Sequence, residues 1–283
     1  MQIAAFYALS LVFACLAMLL WQLPEGFRPG DVEAMSAAYQ RVGLVYGFTP
    51  ALAALIVAFT SDRGRGVRDV LGRLFVLRIP LIWIVFALVL PVLLQWLGAY
   101  LWADAFGEPL RFLVFSQWLK SFLALALING LFSIGEELGW RGFMLPRMLS
   151  RHGWLAAALL TGLLWSVWHF PLQGVSYFAL TDSLSQTALA LLLVTFQGVA
   201  LSVIITAIFL RTRQSLIPTL LLHGAVNANM GLVYRNVSDR AFTDIRLLAI
   251  NASLFVLVAL LFLLMSRLAS PTRSIRSAPR ECS

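Results

Sequence analysis

Phe122-Leu123-Ala124-Leu125-Ala126-Leu127-Ile128 runs without a charge towards Ser133-Ile134-Gly135-Glu136-Glu137-Leu138-Gly139-Trp140-Arg141. If that run crosses a membrane, two adjacent carboxylates lie near hydrocarbon depth, where ionisable groups are costly and mark functional sites. Glu137 and Arg141 are four apart and share a helical face, so they can pair. Glu136 points about 100° away from Glu137 at 3.6 residues per turn. The spacing therefore predicts two jobs: an ion pair that orients the helix, and a carboxylate free to face a cavity. Gly135 and Gly139, also four apart, form a small-residue face that lets another helix approach closely. Read alone, the acid pair is also explained as a polar patch at a helix end, facing water.

Composition makes the membrane reading general. Hydrophobic residues make up 60% of the 283 and charged residues 12%, and the mean hydropathy is +0.86. A soluble domain has about 45–50% apolar and about 25% charged residues. About eight apolar stretches approach the roughly 20 residues a spanning helix needs, near 3–22, 42–60, 78–102, 118–148, 154–171, 187–210, 215–233 and 245–267. The fold class expected is an all-α polytopic membrane protein, with about eight transmembrane helices around an intramembrane catalytic cavity. A single transmembrane domain is expected over 1–267, its motif-bearing core at about 118–230, followed by a disordered cytoplasmic tail at 268–283. Pro24 to Arg41 is expected as an outer loop and Ser61 to Gly66 as a flexible inner loop. The first three spans hold almost no ionisable residue and look like scaffold.

Arginines set the orientation. Arg63, Arg65, Arg68 and Arg73 lie between the second and third spans. Placing that loop in the cytoplasm puts both termini there and gives a basic bias of roughly two to one, as the positive-inside rule requires. The net charge of +8 is mostly this bias, so nucleic acid is not an expected partner; the lipid bilayer is. Cys15 and Cys282 form neither a disulfide framework nor a CxxC metal motif. No basic residue precedes Val12-Phe13-Ala14-Cys15, so the first span is read as retained. A single lysine among many arginines points to a GC-rich genome and a bacterial inner membrane.

Two further apolar segments carry histidines. His169, in Trp165-Ser166-Val167-Trp168-His169-Phe170-Pro171, reads by itself as an interfacial histidine near a span end closed by Pro171. His223 and Asn227 share one helical face, so both can point at one oxygen; an interhelical clamp is the other reading. His152 sits in a polar turn.

Glu-Glu-x-x-x-Arg at 136–141, aromatic-x-x-x-His at 165–169 and His-x-x-x-Asn at 223–227, in that order, resemble the CPBP family. These are the CAAX proteases and bacteriocin-processing (abortive-infection) proteins related to the type II CAAX prenyl endopeptidase. The resemblance covers roughly 118 to 230, and Trp165 stands where the family usually has Phe. It implies an intramembrane endopeptidase in which Glu136 and His169 activate water, His223 and Asn227 donate to the oxyanion, and Glu137 and Arg141 give structural support. The implied partner is a peptide or protein substrate, lipidated or a leader peptide. No cofactor is favoured. Zinc held by Glu136, His169 and His223 is the alternative, although no His-Glu-x-x-His helix is present. A non-proteolytic scaffold, immunity or regulatory protein on the same fold is the competing function. A proton-coupled transporter is disfavoured, because the first half of the chain has no counterpart of Glu136 or His169.

Overall fold

Residues 1–22, 32–110, 114–237 and 244–268 are described in the computed structural model. Among them the secondary structure is all helical. Helices α1 (Gln2–Gln22), α2 (Val32–Gly72), α3 (Leu81–Phe106) and α4 (Phe115–Phe132) come first. The short α5 (Ile134–Glu137) follows, then a π-helical segment (Leu138–Met144) and α6 (Leu145–Leu149). The chain continues as α7 (Trp154–Trp168), α8 (Phe170–Thr181), α9 (Leu184–Arg211), α10 (Ile217–Val237) and α11 (Ile245–Leu268). Large apolar side chains such as Leu93, Leu127, Leu192 and Leu260 lie on the outside. A water-solvated domain does not present apolar faces on this scale; lipid is their solvent, and the protein is integral to the membrane.

Six described helical stretches are long and apolar enough to cross a bilayer, and a seventh results if α7 and α8, bent by 51°, count as one span. That is one fewer than the eight expected. The difference is α10, which does not qualify over its described residues. It carries His223, Asn227 and Asn229, and between 217 and 233 its single exposed residue is Asn227. It is an interior helix, wrapped by protein where the others meet lipid.

Two local expectations are corrected and a third element gains detail. The expected outer loop is helical from Val32, because α2 starts ten residues before the apolar stretch does. The inner loop at 61–66 is a break in α2, with Arg63 at φ 52° and ψ −139° between two helical runs. The fourth apolar stretch is interrupted at Ser133 and passes through the π-helical segment, a local distortion that recurs at functional sites. The expected tail lies outside the described residues from 269 onwards.

The second helix, expected as scaffold, walls the acid pair. A Cβ on Gly135 would lie 2.5 Å from the Gly47 carbonyl oxygen, and one on Gly139 would lie 2.7 Å from the Pro50 carbonyl carbon. The small-residue face therefore meets the α2 backbone, as expected. Pro50 cannot bond the carbonyl four residues back, and the Thr49 hydroxyl donates to that Tyr46 oxygen at 2.8 Å instead. An aromatic column joins the layers: Phe6 meets Trp140 at 5.2 Å, Trp140 meets Trp168 at 5.8 Å, and Trp168 meets Tyr46 at 4.5 Å between centroids. Away from the acids, Asn229 donates to Gln95 at 2.8 Å and Gln95 donates to the Val226 carbonyl at 3.1 Å, tying α10 to α3.

Candidate active site

Two carboxylates one residue apart sit in different surroundings. Glu137 and Arg141 are both fully buried and paired at 2.9 Å. Glu136 keeps 15% of its side chain accessible, facing His169, which keeps 19%. The different orientations expected of Glu136 and Glu137 are present, despite the π-helical turn that follows.

The helix break at His169 has a local cause. Pro171 enters the first turn of α8, where its missing N–H is tolerated but the preceding helix cannot continue. Side chains also bind carbonyls at the end of α7: the Tyr46 hydroxyl donates to the Trp168 oxygen, and His169 Nδ1 lies 3.0 Å from the Trp165 oxygen, which accepts the His169 backbone N–H as well. A carbonyl only accepts, so the proton is on Nδ1 and, in the neutral ring, Nε2 carries the lone pair. That nitrogen lies 3.6 Å from Glu136 Oε2. Two acceptors thus face one another beyond direct hydrogen-bond range, an arrangement suited to a shared donor such as water.

His223 pairs with the other acid. Its Nδ1 lies 2.9 Å from Glu137 Oε1, the same oxygen that accepts from Arg141 Nη1 at 2.9 Å. One buried carboxylate therefore holds both a guanidinium and an imidazole, while Glu137 Oε2 and Arg141 Nε and Nη2 are buried without hydrogen-bond partners. Sequence spacing paired Glu137 with Arg141 and His223 with Asn227; it gave no sign of the bond between them. Asn227 shares the α10 face with His223, is exposed, and has no hydrogen-bond partner among the described residues. Gly224 permits the close seating of this helix, since a Cβ there would lie 2.2 Å from the Ala126 oxygen of α4. His152 is exposed in a turn, away from these groups.

Trp165 lies among the charged groups. Its indole N–H donates to Glu136 Oε2 at 2.8 Å, and Arg141 stacks over its face at 4.3 Å. Its ring meets the rings of His169 and His223 at 5.4 and 5.5 Å. Sequence reading took it only as the aromatic member of a motif.

The alternative zinc ligands Glu136, His169 and His223 do not form a metal-holding group as they stand. Among the described residues no three His, Cys, Asp or Glu side chains are grouped so as to hold a metal ion. An apolar cavity of about 460 Å³ lies elsewhere, between Phe59, Val67, Leu71 and Phe75, and touches none of these residues.

Comparison with known proteins puts this geometry in context. Residues 115–229 match the family described as Type II CAAX prenyl endopeptidase Rce1-like, a span that contains every residue of the three motifs. This relationship indicates a membrane protease. It is also 28% identical, over 204 residues, to CAAX prenyl protease 2 of Methanococcus maripaludis, covering 70% of this chain and 74% of that protein. The similarity to the Rce1-like endopeptidases thus covers the motif-bearing part of the chain, and the similarity to the archaeal protease extends beyond it.

Proposed function

We propose that this intramembrane endopeptidase hydrolyses its substrate with a water molecule shared by Glu136 and His169, and stabilises the tetrahedral intermediate with His223 and Asn227. One observation carries the reading: His169, anchored through Nδ1, turns its Nε2 lone pair towards Glu136 Oε2 at 3.6 Å. Water donates one proton towards each acceptor, and its oxygen lone pair attacks the scissile carbonyl. The pair then passes a proton to the leaving amine. Both groups keep partial access to their surroundings, which the fully buried Glu137 and Arg141 do not.

The oxyanion role divides between two donors. With Nδ1 bonded to Glu137, His223 donates from Nε2 only when its ring carries both protons. Asn227 has an unused side-chain amide at the exposed point of α10. Donors fixed in a low-dielectric site are worth about 10²–10³ in rate each. Glu137 and Arg141 act as support: the carboxylate sets the His223 ring, and the guanidinium balances its charge. No metal enters this mechanism.

The catalytic unit is the single transmembrane domain 1–267, with its core at about 118–230 and a cytoplasmic tail at 268–283. The packing of α1 and α2 on the motif helices supports that boundary. Arginine distribution supports a bacterial inner membrane with both termini cytoplasmic, and cleavage near that side. The substrate class is a peptide or protein with a lipidated end or a leader segment. The test offers the purified protein, in lipid nanodiscs, an internally quenched peptide with a farnesylated Cys-aliphatic-aliphatic-Ser end and, separately, a hydrophobic leader peptide. Cleavage of either by the wild type and of neither by Glu136→Gln is expected. Full activity of Glu136→Gln would refute the assignment of the base.

A further inference from the structure

Trp165 holds both members of the pair assigned to activate water. Its backbone oxygen accepts a hydrogen bond from His169 Nδ1–H at 3.0 Å. Its indole Nε1 donates to Glu136 Oε2 at 2.8 Å, and among the described residues this is the sole hydrogen-bond donor to that carboxylate. We propose that Trp165 is a positioning residue, fixing the separation of Glu136 and His169 by gripping one through its side chain and the other through its backbone. The proposal rests on the Glu136–His169 reading above.

Most of what this side chain does is open to any aromatic ring. Stacking beneath Arg141 at 4.3 Å uses a π face, and the contacts to His169 and His223 use ring edges. The grip on Glu136 is different, because it needs a donor at the far edge of a large ring, and Trp alone among the apolar aromatics supplies one. Without it, the carboxylate has only its own torsions and the α2 wall to orient it. A Cβ on Gly47 would stand 3.9 Å from Oε1, which is ordinary contact and leaves room for rotation. A carboxylate turned away from His169 cannot share its water, and misplacement by about 1 Å costs on the order of 100-fold in rate. The backbone half of the grip is independent of residue type, so the side-chain half can be removed alone.

The experiment replaces Trp165 with 3-benzothienylalanine, in which sulfur stands for the indole N–H at nearly unchanged shape, and in parallel with 5-fluorotryptophan, which keeps the N–H. With the farnesylated peptide as probe, the benzothienyl protein should lose about 10- to 100-fold in kcat, as expected for one hydrogen bond to a charged group. KM and melting temperature should stay unchanged, and the fluorinated protein should turn over like the wild type. Trp165→Phe should repeat the loss. A second readout needs no substrate: in ¹⁵N spectra the indole signal absent from Trp165→Phe identifies Trp165, and Glu136→Gln should move that signal upfield. Wild-type kcat in the benzothienyl protein, or an indole signal unmoved by Glu136→Gln, would overturn the proposal. The two readings fail separately. An active Glu136→Gln enzyme removes the general base; an inactive one beside a fully active benzothienyl enzyme removes only the positioning role.

Discussion

Replacing Glu137 with Gln should unfold the site before it alters the chemistry. Its Oε1 accepts from Arg141 and from His223, each at 2.9 Å, and the carboxylate and guanidinium are both fully buried. Two charge-assisted hydrogen bonds at about 1.5–3 kcal/mol each give roughly 3–6 kcal/mol. Removing one member of a buried ion pair costs about 3–5 kcal/mol by mutational precedent, because the remaining charge is left uncompensated. The two routes agree, and either figure is a large part of the roughly 5–15 kcal/mol that separates folded from unfolded protein. The assay is thermal unfolding in detergent, followed by intrinsic fluorescence, for Glu137→Gln, Arg141→Met and the double variant. Each single variant should melt well below the wild type. The double variant should recover part of the loss, since neither charge then lies buried alone, but it should stay inactive because His223 has lost its anchor. A Glu137→Gln protein as stable as the wild type, or a double variant that loses the full sum of both singles, would refute the buried-pair reasoning.

Other consequences separate packing from chemistry. Gly139→Ala should lower yield and melting temperature, because its Cβ would lie 2.7 Å from the Pro50 carbonyl carbon; size-exclusion profiles and melting curves check this. Asn227→Ala should reduce kcat sharply with little change in KM or melting temperature, since Asn227 is exposed and its interaction forms only as charge develops in the transition state. A fall in melting temperature with kcat intact would restore the helix-clamp reading at that position. Chelators should leave turnover unchanged, and elemental analysis should find no stoichiometric zinc in active protein. One zinc per chain, lost together with activity, would make Glu136, His169 and His223 ligands after all.

What was legible in the sequence followed from helical periodicity. Four-residue spacing gave the Glu137–Arg141 pair, the Gly135–Gly139 face and the common face of His223 and Asn227, and hydropathy gave the bundle. Periodicity describes one helix at a time, and the rest arises between helices or where a helix breaks. The bond from His223 to Glu137 joins residues 86 apart in the chain, and no local pattern encodes it. The interior place of α10 was hidden because a mostly apolar helix does not say by itself whether lipid or protein surrounds it. The break at Arg63 lay in a Gly-rich stretch that reads as a loop, yet helix resumes directly on either side of it. Trp165 was legible as a ring; the direction of its N–H was not, since that depends on how α5 and α7 meet.

The central claim is that Glu136 and His169 act on one water as a unit, and a double-mutant cycle tests it most directly. Glu136→Gln, His169→Ala and the double variant, purified and confirmed as folded, are compared in kcat against the wild type on one cleaved peptide. Groups that share a single step are strongly non-additive. Each single variant should lose nearly as much as the double, several orders of magnitude in each case. Losses that multiply in the double variant, or a single variant that keeps substantial turnover, would mean that the two side chains do not share the water.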